Sequence, residues 1–194
     1  TRCATFEAAS AIGPSVHMAK SKSHTVKGTH VLTSRAWVDE RLMEGSFDEL
    51  AVAAQVPWEG RVLPSSWYDI YALLRVMEPV CKDLKISIFD AYKQIARKNA
   101  QDDLTTIYRA FLRLAGAKGL LNAVPTLWRN YVSFGDVTKL TNDPGLHVSI
   151  CRAIPTPLLE WACGSWTGFV PTAAEVAGGK NTKFTVVEKG PDVE

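Results

Sequence analysis

The chain has 194 residues, enough for one domain with a substantial buried core, and 46% of them are hydrophobic against 22% charged. A formal net charge of +2 argues against a nucleic-acid partner, which calls for a face of clustered Lys and Arg. Charge interrupts the apolar runs well short of the roughly 18–20 residues a membrane span needs, and no cationic start leads into an apolar block as in a secretory signal.

Residues 1–25 are rich in Ala, Ser, Thr and Lys without a sustained period, and read as a poorly ordered leader in which Met18 is a candidate native start. A single α+β domain is expected over 26–194. VKGTHVL (26–32) reads as a short strand, and TSRAWVDERLM (33–43) as a helix capped by Thr33 or Ser34 with Trp37, Val38 and Leu42 inward. FDELAVAAQV (47–56) is a second short helix, stopped by Pro57. Ser65 or Ser66 then caps a helix whose stripe runs through Trp67, Ile70, Tyr71, Leu74, Met77 and Cys81, with Pro79 expected to kink or end it.

SIFDAYKQIARKNA (87–100) continues as helix, with Ile88, Tyr92 and Ile95 on one face. In QDDLTTIYRAFLRLAG (101–116), Asp102 or Asp103 is read as the N-cap of a new helix. Its stripe is Leu104, Ile107, Tyr108, Phe111, Leu112 and Ala115, and Gly116 is its stop. GAKGLLNAVPTLWRNYVSFG (116–135) is helical again, with Leu120, Leu121, Val124, Leu127, Trp128 and Tyr131 on its stripe and a break expected before Pro125. After Gly135 the period becomes two. DVTKLT and LHVSICRAI flank the turn NDPG (142–145) and predict a β-hairpin, with Leu146, Val148 and Ile150 on one face and His147, Ser149 and Cys151 on the other. TPLLEWACGSWTGFV (156–170) returns to helix, AGGKN is a turn, and KFTVVEK (183–189) reads as a last strand. Helices followed by hairpin, helix and strand make an α+β arrangement.

The candidates for chemistry fail on spacing. AGGKNT (177–182) lacks the first Gly and the Ser/Thr of a phosphate loop. GSWTG (164–168) has its serine in the wrong slot for a nucleophile elbow. His147 and Cys151, at i and i+4 of a strand, stand roughly 13 Å apart, too far to share one ion without a bulge. The other histidines, His17, His24 and His30, fall in or near the leader. Asp102 and Asp103 are explained by capping. No catalytic set, metal site or cofactor is therefore expected. Cys3, Cys81, Cys151 and Cys163 are scattered with no CxxC, which fits reduced thiols and a cytoplasmic setting.

Aromatic residues recur on the inward faces of successive helices, and buried Tyr and Trp carry polar tips that need partners. Such a cluster can line an apolar ligand pocket. The candidate ligand-binding residues are Trp67, Tyr71, Tyr108, Phe111, Trp128 and Tyr131, with Trp as wall and the Tyr hydroxyls as orienting groups.

Three blocks, RVLPSSWYDIYALL (61–74), DLTTIYRAFLRLAG (103–116) and PTLWRNYVSFG (125–135), resemble a paralogous domain family abundant in myxobacteria whose members have no established function. That family is similar, more distantly, to the superfamily of 4-vinyl-reductase-type, haem–nitric-oxide-binding and Bet3-like domains. The resemblance implies an N-terminal helical portion packed on a small antiparallel sheet formed mainly by the C-terminal third, with a ligand cavity between helices and sheet. Haem-binding members carry a Tyr-x-Ser-x-Arg motif and a proximal His on a helix. Here YVSFG (131–135) has Gly135 in the Arg position, and His147 reads as strand, so haem is not implied. FTVVEKGPDVE carries no cysteine, so the zinc-bearing hairpin of related domains is not implied either. The expected function is a non-enzymatic sensory or regulatory domain binding a small hydrophobic molecule or lipid. The alternative is a Bet3-like interaction module acting as a homodimer with no free ligand site.

Overall fold

Trp67-Tyr68-Asp69 carries bulky aromatics that suit an extended chain, and in the computed structural model these residues form a strand instead of opening a helix. The structure describes residues 23–56, 58, 61–106, 109–143, 146–180 and 182–185, with backbone alone for 103–106, 109–115, 140–143, 146 and 147. Strand β1 (Thr25–Lys27) runs antiparallel to β2 (Trp67–Asp69), with Val26 opposite Tyr68. Thr25 thus already belongs to the fold. The Ser133 hydroxyl accepts from the Thr25 N–H at 2.8 Å, and the Ser133 N–H donates to the Thr25 carbonyl at 2.9 Å.

Helix α1 (Gly28–Arg41) follows β1 at once, so most of the strand expected over 26–32 is helical, and neither Thr33 nor Ser34 caps it. Gly28, Val31, Ser34, Trp37 and Val38 are its buried residues, a helical spacing that starts five residues earlier than the sequence pattern suggested. Leu42, expected inward, lies past the helix end and is 42% exposed. Helix α2 (Ser46–Ala53) buries Phe47 and Ala51.

Helix α3 (Ile70–Leu84) is capped by Asp69, whose carboxylate accepts from the Tyr71 N–H at 2.9 Å. The cap expected at Ser65 or Ser66 moves here because the strand pairing occupies 67–69. Pro79 lies inside α3 without ending it. It is exposed, as is Arg75, whose carbonyl loses a donor, so that group faces water. At the start of α4 (Ile88–Thr106), Ser87 accepts from the Asp90 N–H at 3.0 Å and donates to its carboxylate at 2.7 Å.

Helix α4 runs on through Gln101, Asp102 and Asp103, so neither acid is an N-cap; both lie in its last turns. No Gly or Pro separates 87–100 from 101–106, and Ala100 is fully buried, so the helix has no reason to stop there. Helix α5 (Arg109–Tyr131) is two helical segments joined at Gly116, whose φ of 63° and ψ of 180° interrupt it as expected of a glycine stop. It passes through Pro125 without the expected break.

Strands β3 (Asp136–Asp143) and β4 (Leu146–Arg152) form the C-terminal hairpin, with an irregularity between Lys139 and Thr141. Val137 opposes Cys151, and these two, not Ile150, pack on the main core. A single turn of 3₁₀ helix (Thr156–Leu158) leads into α6 (Leu159–Val176). Lys183–Thr185 are not in a strand; the rest of the expected last strand lies outside the described residues, as do residues 1–22 of the expected leader.

The fold is α+β, helix-dominated, with a small antiparallel sheet in the C-terminal third. Its tightest helix pair is α4 against α6. A Cβ at Gly164 would collide with the Phe89 carbonyl, and one at Gly168 with the Lys93 carbonyl. GSWTG is thus a pair of glycines four apart that lets two backbones touch. The main core centres on Trp37, Trp161, Tyr92, Ile70 and Leu73, and a smaller cluster joins Ala100, Leu120, Ala173, Ala174 and Ala177. No described helix is long and apolar enough to cross a membrane.

Candidate functional site

The close α4–α6 approach leaves a void where these helices diverge around large side chains. It holds about 180 Å³ and is walled by α1, α4, α5 and α6. Its described wall is made of helices and Val132, with no described hairpin residue on it, so it lies among helices and not at the helix–sheet boundary that the resemblance implied. Helix α4 supplies Tyr92, Ile95, Ala96 and Asn99, at i, i+3, i+4 and i+7. Helix α5 supplies Leu120, Ala123, Val124, Leu127, Trp128 and Tyr131 on one stripe. From α6 come Trp161, Ser165 and Phe169, four apart, with Trp166 and Val170 beside them. Thr29 and His30 of α1, with Val132, complete the wall.

Trp161 is the hub of this wall. It is fully buried and meets the rings of His30 (5.9 Å), Tyr92 (6.2 Å), Trp128 (6.0 Å) and Phe134 (5.7 Å). Trp128 also meets Trp166 at 5.4 Å. Tilted and edge-on contacts of this kind add to area burial and hold the rings in place. The Trp128 indole N–H donates to the Phe134 carbonyl at 2.8 Å, which fixes its ring from behind.

The polar atoms of the wall are distributed differently. Among the described residues, eight buried side-chain polar atoms find no hydrogen-bond partner in the protein, and five belong to this wall: Thr29 Oγ1, Tyr92 Oη, Trp161 Nε1, Ser165 Oγ and Trp166 Nε1. The Tyr92 hydroxyl nonetheless lies close enough to the Ser34 hydroxyl to interact with it as a hydrogen-bond partner. A buried polar group without a partner costs about 1–3 kcal/mol, so the others lower the stability of the folded chain. Asn99 is anchored, donating to the Thr33 hydroxyl at 3.2 Å.

Among the described residues the wall carries no Lys, Arg, Asp or Glu. His30 keeps some residual exposure, but the protein atoms crowded around it desolvate the ring and lower its pKa to about 4, so it is neutral near pH 7. Burial likewise raises the Tyr92 hydroxyl well above its usual value, keeping it protonated. The described part of the wall is aromatic and predominantly apolar.

Two of the six sequence candidates, Trp128 and Tyr131, lie on this wall. Trp67 and Tyr71 do not. Trp67 is 43% exposed on β2, with Lys27 Nζ 4.1 Å from its ring, and Tyr71 sits edge-on to His24 at 5.8 Å. Tyr108 lies outside the described residues, and of Phe111 only the backbone is described. Sequence reasoning counted Tyr92, Trp161 and Trp166 among inward aromatics without selecting them, and placed His30 near the leader. The α6 spacing Trp161–Ser165–Phe169 was the signal that could have found the fourth wall. Ser133, the serine of YVSFG, bonds to β1 and takes no part in the cavity. Among the described residues no cluster of His, Cys, Asp or Glu could hold a metal ion.

Fold and site together describe an α+β domain with an aromatic-walled cavity among four helices. No family model, curated protein or solved structure matches the chain.

Proposed function

We propose that this chain is a non-enzymatic sensory or regulatory domain that binds a small hydrophobic molecule in the cavity among α1, α4, α5 and α6. The observation that supports the reading is an apolar cavity of about 180 Å³ whose lining includes three tryptophans and two tyrosines. A void of about 150 Å³ lined by apolar side chains suffices for benzene, so the cavity's size suits a one-ring or small two-ring molecule more than a lipid chain. Ligand occupancy, bridging α4, α5 and α6, would stiffen their packing and alter the surface a partner reads.

Three wall tryptophans give the test its readout. Titration with indole and with toluene, followed by tryptophan emission and thermal unfolding, should give saturable changes and a raised Tm. Ala96→Phe, which fills the void, should remove them. Flat emission and an unmoved Tm for both compounds would overturn the reading.

A second reading, a dimeric interaction module, draws on exposed apolar side chains beyond α1 and on α2. Met43 is 66% and Val52 78% exposed, with Leu42 beside them. It requires a dimer in light scattering that Val52→Lys dissociates; a strict monomer at high concentration would exclude it.

A further inference from the structure

Ser133 lies outside the cavity and is exposed, yet its hydroxyl is fully engaged by the protein. It accepts from the Thr25 N–H and from the Thr25 hydroxyl, both at 2.8 Å, and donates to the Ser23 carbonyl at 3.2 Å. A hydroxyl has one proton and two lone pairs, so all of its bonding capacity is used on β1 and the residue before it. The Ser133 N–H also donates to the Thr25 carbonyl at 2.9 Å, and Val26 bridges Val132 antiparallel. Together these bonds clasp β1 to the chain leaving α5.

The clasp joins two walls of the cavity. Thr29 and His30 stand in the first turn of α1, directly after β1, while Tyr131 and Val132 directly precede Ser133; all four line the cavity. The His30 and Tyr131 rings meet edge-on across this junction, 6.3 Å apart. On the other side of the clasp, His24 meets Phe134 edge-on at 5.2 Å, and Phe134 lies 5.7 Å from the hub ring of Trp161. Residues flanking both Thr25 and Ser133 therefore belong to the wall or touch it. A short pairing at an exposed edge opens at far lower cost than the core, so modest differential contact with a ligand shifts it.

We infer that β1 is a strap: a ligand touching the α1 and α5 walls together tightens the Thr25–Ser133 clasp, and the clasp in turn sets the ligand's affinity. By linkage the two effects are equal in free energy. The strap rests on the cavity being a ligand site, and adds where its occupancy is read. Ser133 is then a positioning residue that acts through His30 and Tyr131 without touching the ligand.

Hydrogen exchange of the full chain, with and without saturating toluene, tests the first half. Exchange should slow about threefold or more in peptides covering 24–28 and 131–134, and stay unchanged across α2, which contributes nothing to the wall. Calorimetric titration of variants tests the second. Ser133→Ala should weaken toluene binding about fivefold or more, and Ser133→Thr, which keeps the hydroxyl, should bind within about twofold of the parent. Asp39→Ala removes the acceptor of the Phe47 N–H, away from the wall, and controls for lost stability; its affinity should also stay within about twofold. Unchanged exchange in the two peptides when toluene is bound, or full affinity in Ser133→Ala, would overturn the strap and leave the binding role intact. Failure of both toluene and indole to bind would overturn both.

Discussion

The indole rings of Trp128 and Trp161 stand 6.0 Å apart at 50°, yet only one of their N–H groups is satisfied by the protein: Trp128 donates to the Phe134 carbonyl, and Trp161 donates to nothing. The two residues are equally part of the core and opposite in consequence. Trp128→Phe should destabilise the protein by about 2–3 kcal/mol, because it loses volume and strands a buried carbonyl. Trp161→Phe loses similar volume but no hydrogen bond, and should cost roughly 1 kcal/mol less. Urea denaturation of the ligand-free variants decides this, and equal losses would contradict the assignment.

Ser165 presents the same logic more simply. Its buried hydroxyl has no partner in the protein, so Ser165→Ala should leave ligand-free stability unchanged or raise it by up to about 1 kcal/mol. A loss above about 1 kcal/mol would mean that the hydroxyl is engaged in the folded chain. Thermal and urea unfolding both report it.

The α4–α6 contact tolerates no side chain at two points. Gly168→Ala would place its Cβ against the Lys93 backbone, which cannot rotate away as a side chain could. Helix propensity favours Ala by about 1 kcal/mol, but the collision should prevail, giving a net loss of about 2 kcal/mol or more. Glu175→Ala, on the exposed side of the same helix, should stay within about 0.5 kcal/mol. Chemical denaturation of both separates helix propensity from packing.

His30 links the cavity to pH. Its ordinary pKa of 6.5 falls to about 4 in the fold through desolvation. Between those values the unfolded chain takes up a proton that the folded chain refuses, so stability falls as pH drops from 6.5 toward 4, by at most on the order of 2–3 kcal/mol. Above 6.5 the ring is neutral in both states and contributes no slope. His30→Gln should flatten this part of the profile, measured as urea midpoints across pH 4–7. An unchanged slope would place the dependence elsewhere.

Much of the fold follows from local pattern. The α3 stripe, the NDPG hairpin, the Gly116 interruption and the helix after Thr156 are all written in residues within a few positions of one another. The errors have one cause, a neighbour distant in sequence. Trp67–Asp69 leaves its helical stripe because Thr25–Lys27, some forty positions away, offers backbone partners, and the cap passes to Asp69. Asp102 and Asp103 look like an N-cap in isolation, but α4 is held through Ala100 by α6 and passes over them.

The cavity divides in the same way. Sequence by itself determined that aromatics would line the inner faces of the helices, and that Trp128 and Tyr131 belong to such a face. Only tertiary structure decided that α6 is the fourth wall. Gly164 and Gly168 bring its backbone against α4, and Trp161, Ser165 and Trp166 thereby reach the stripe of Tyr92. It also decided which polar tips stay open, since a hydrogen-bond partner is a matter of where distant chain segments meet. A periodic pattern encodes which side of a helix is buried, but the atom that faces it belongs to another part of the chain.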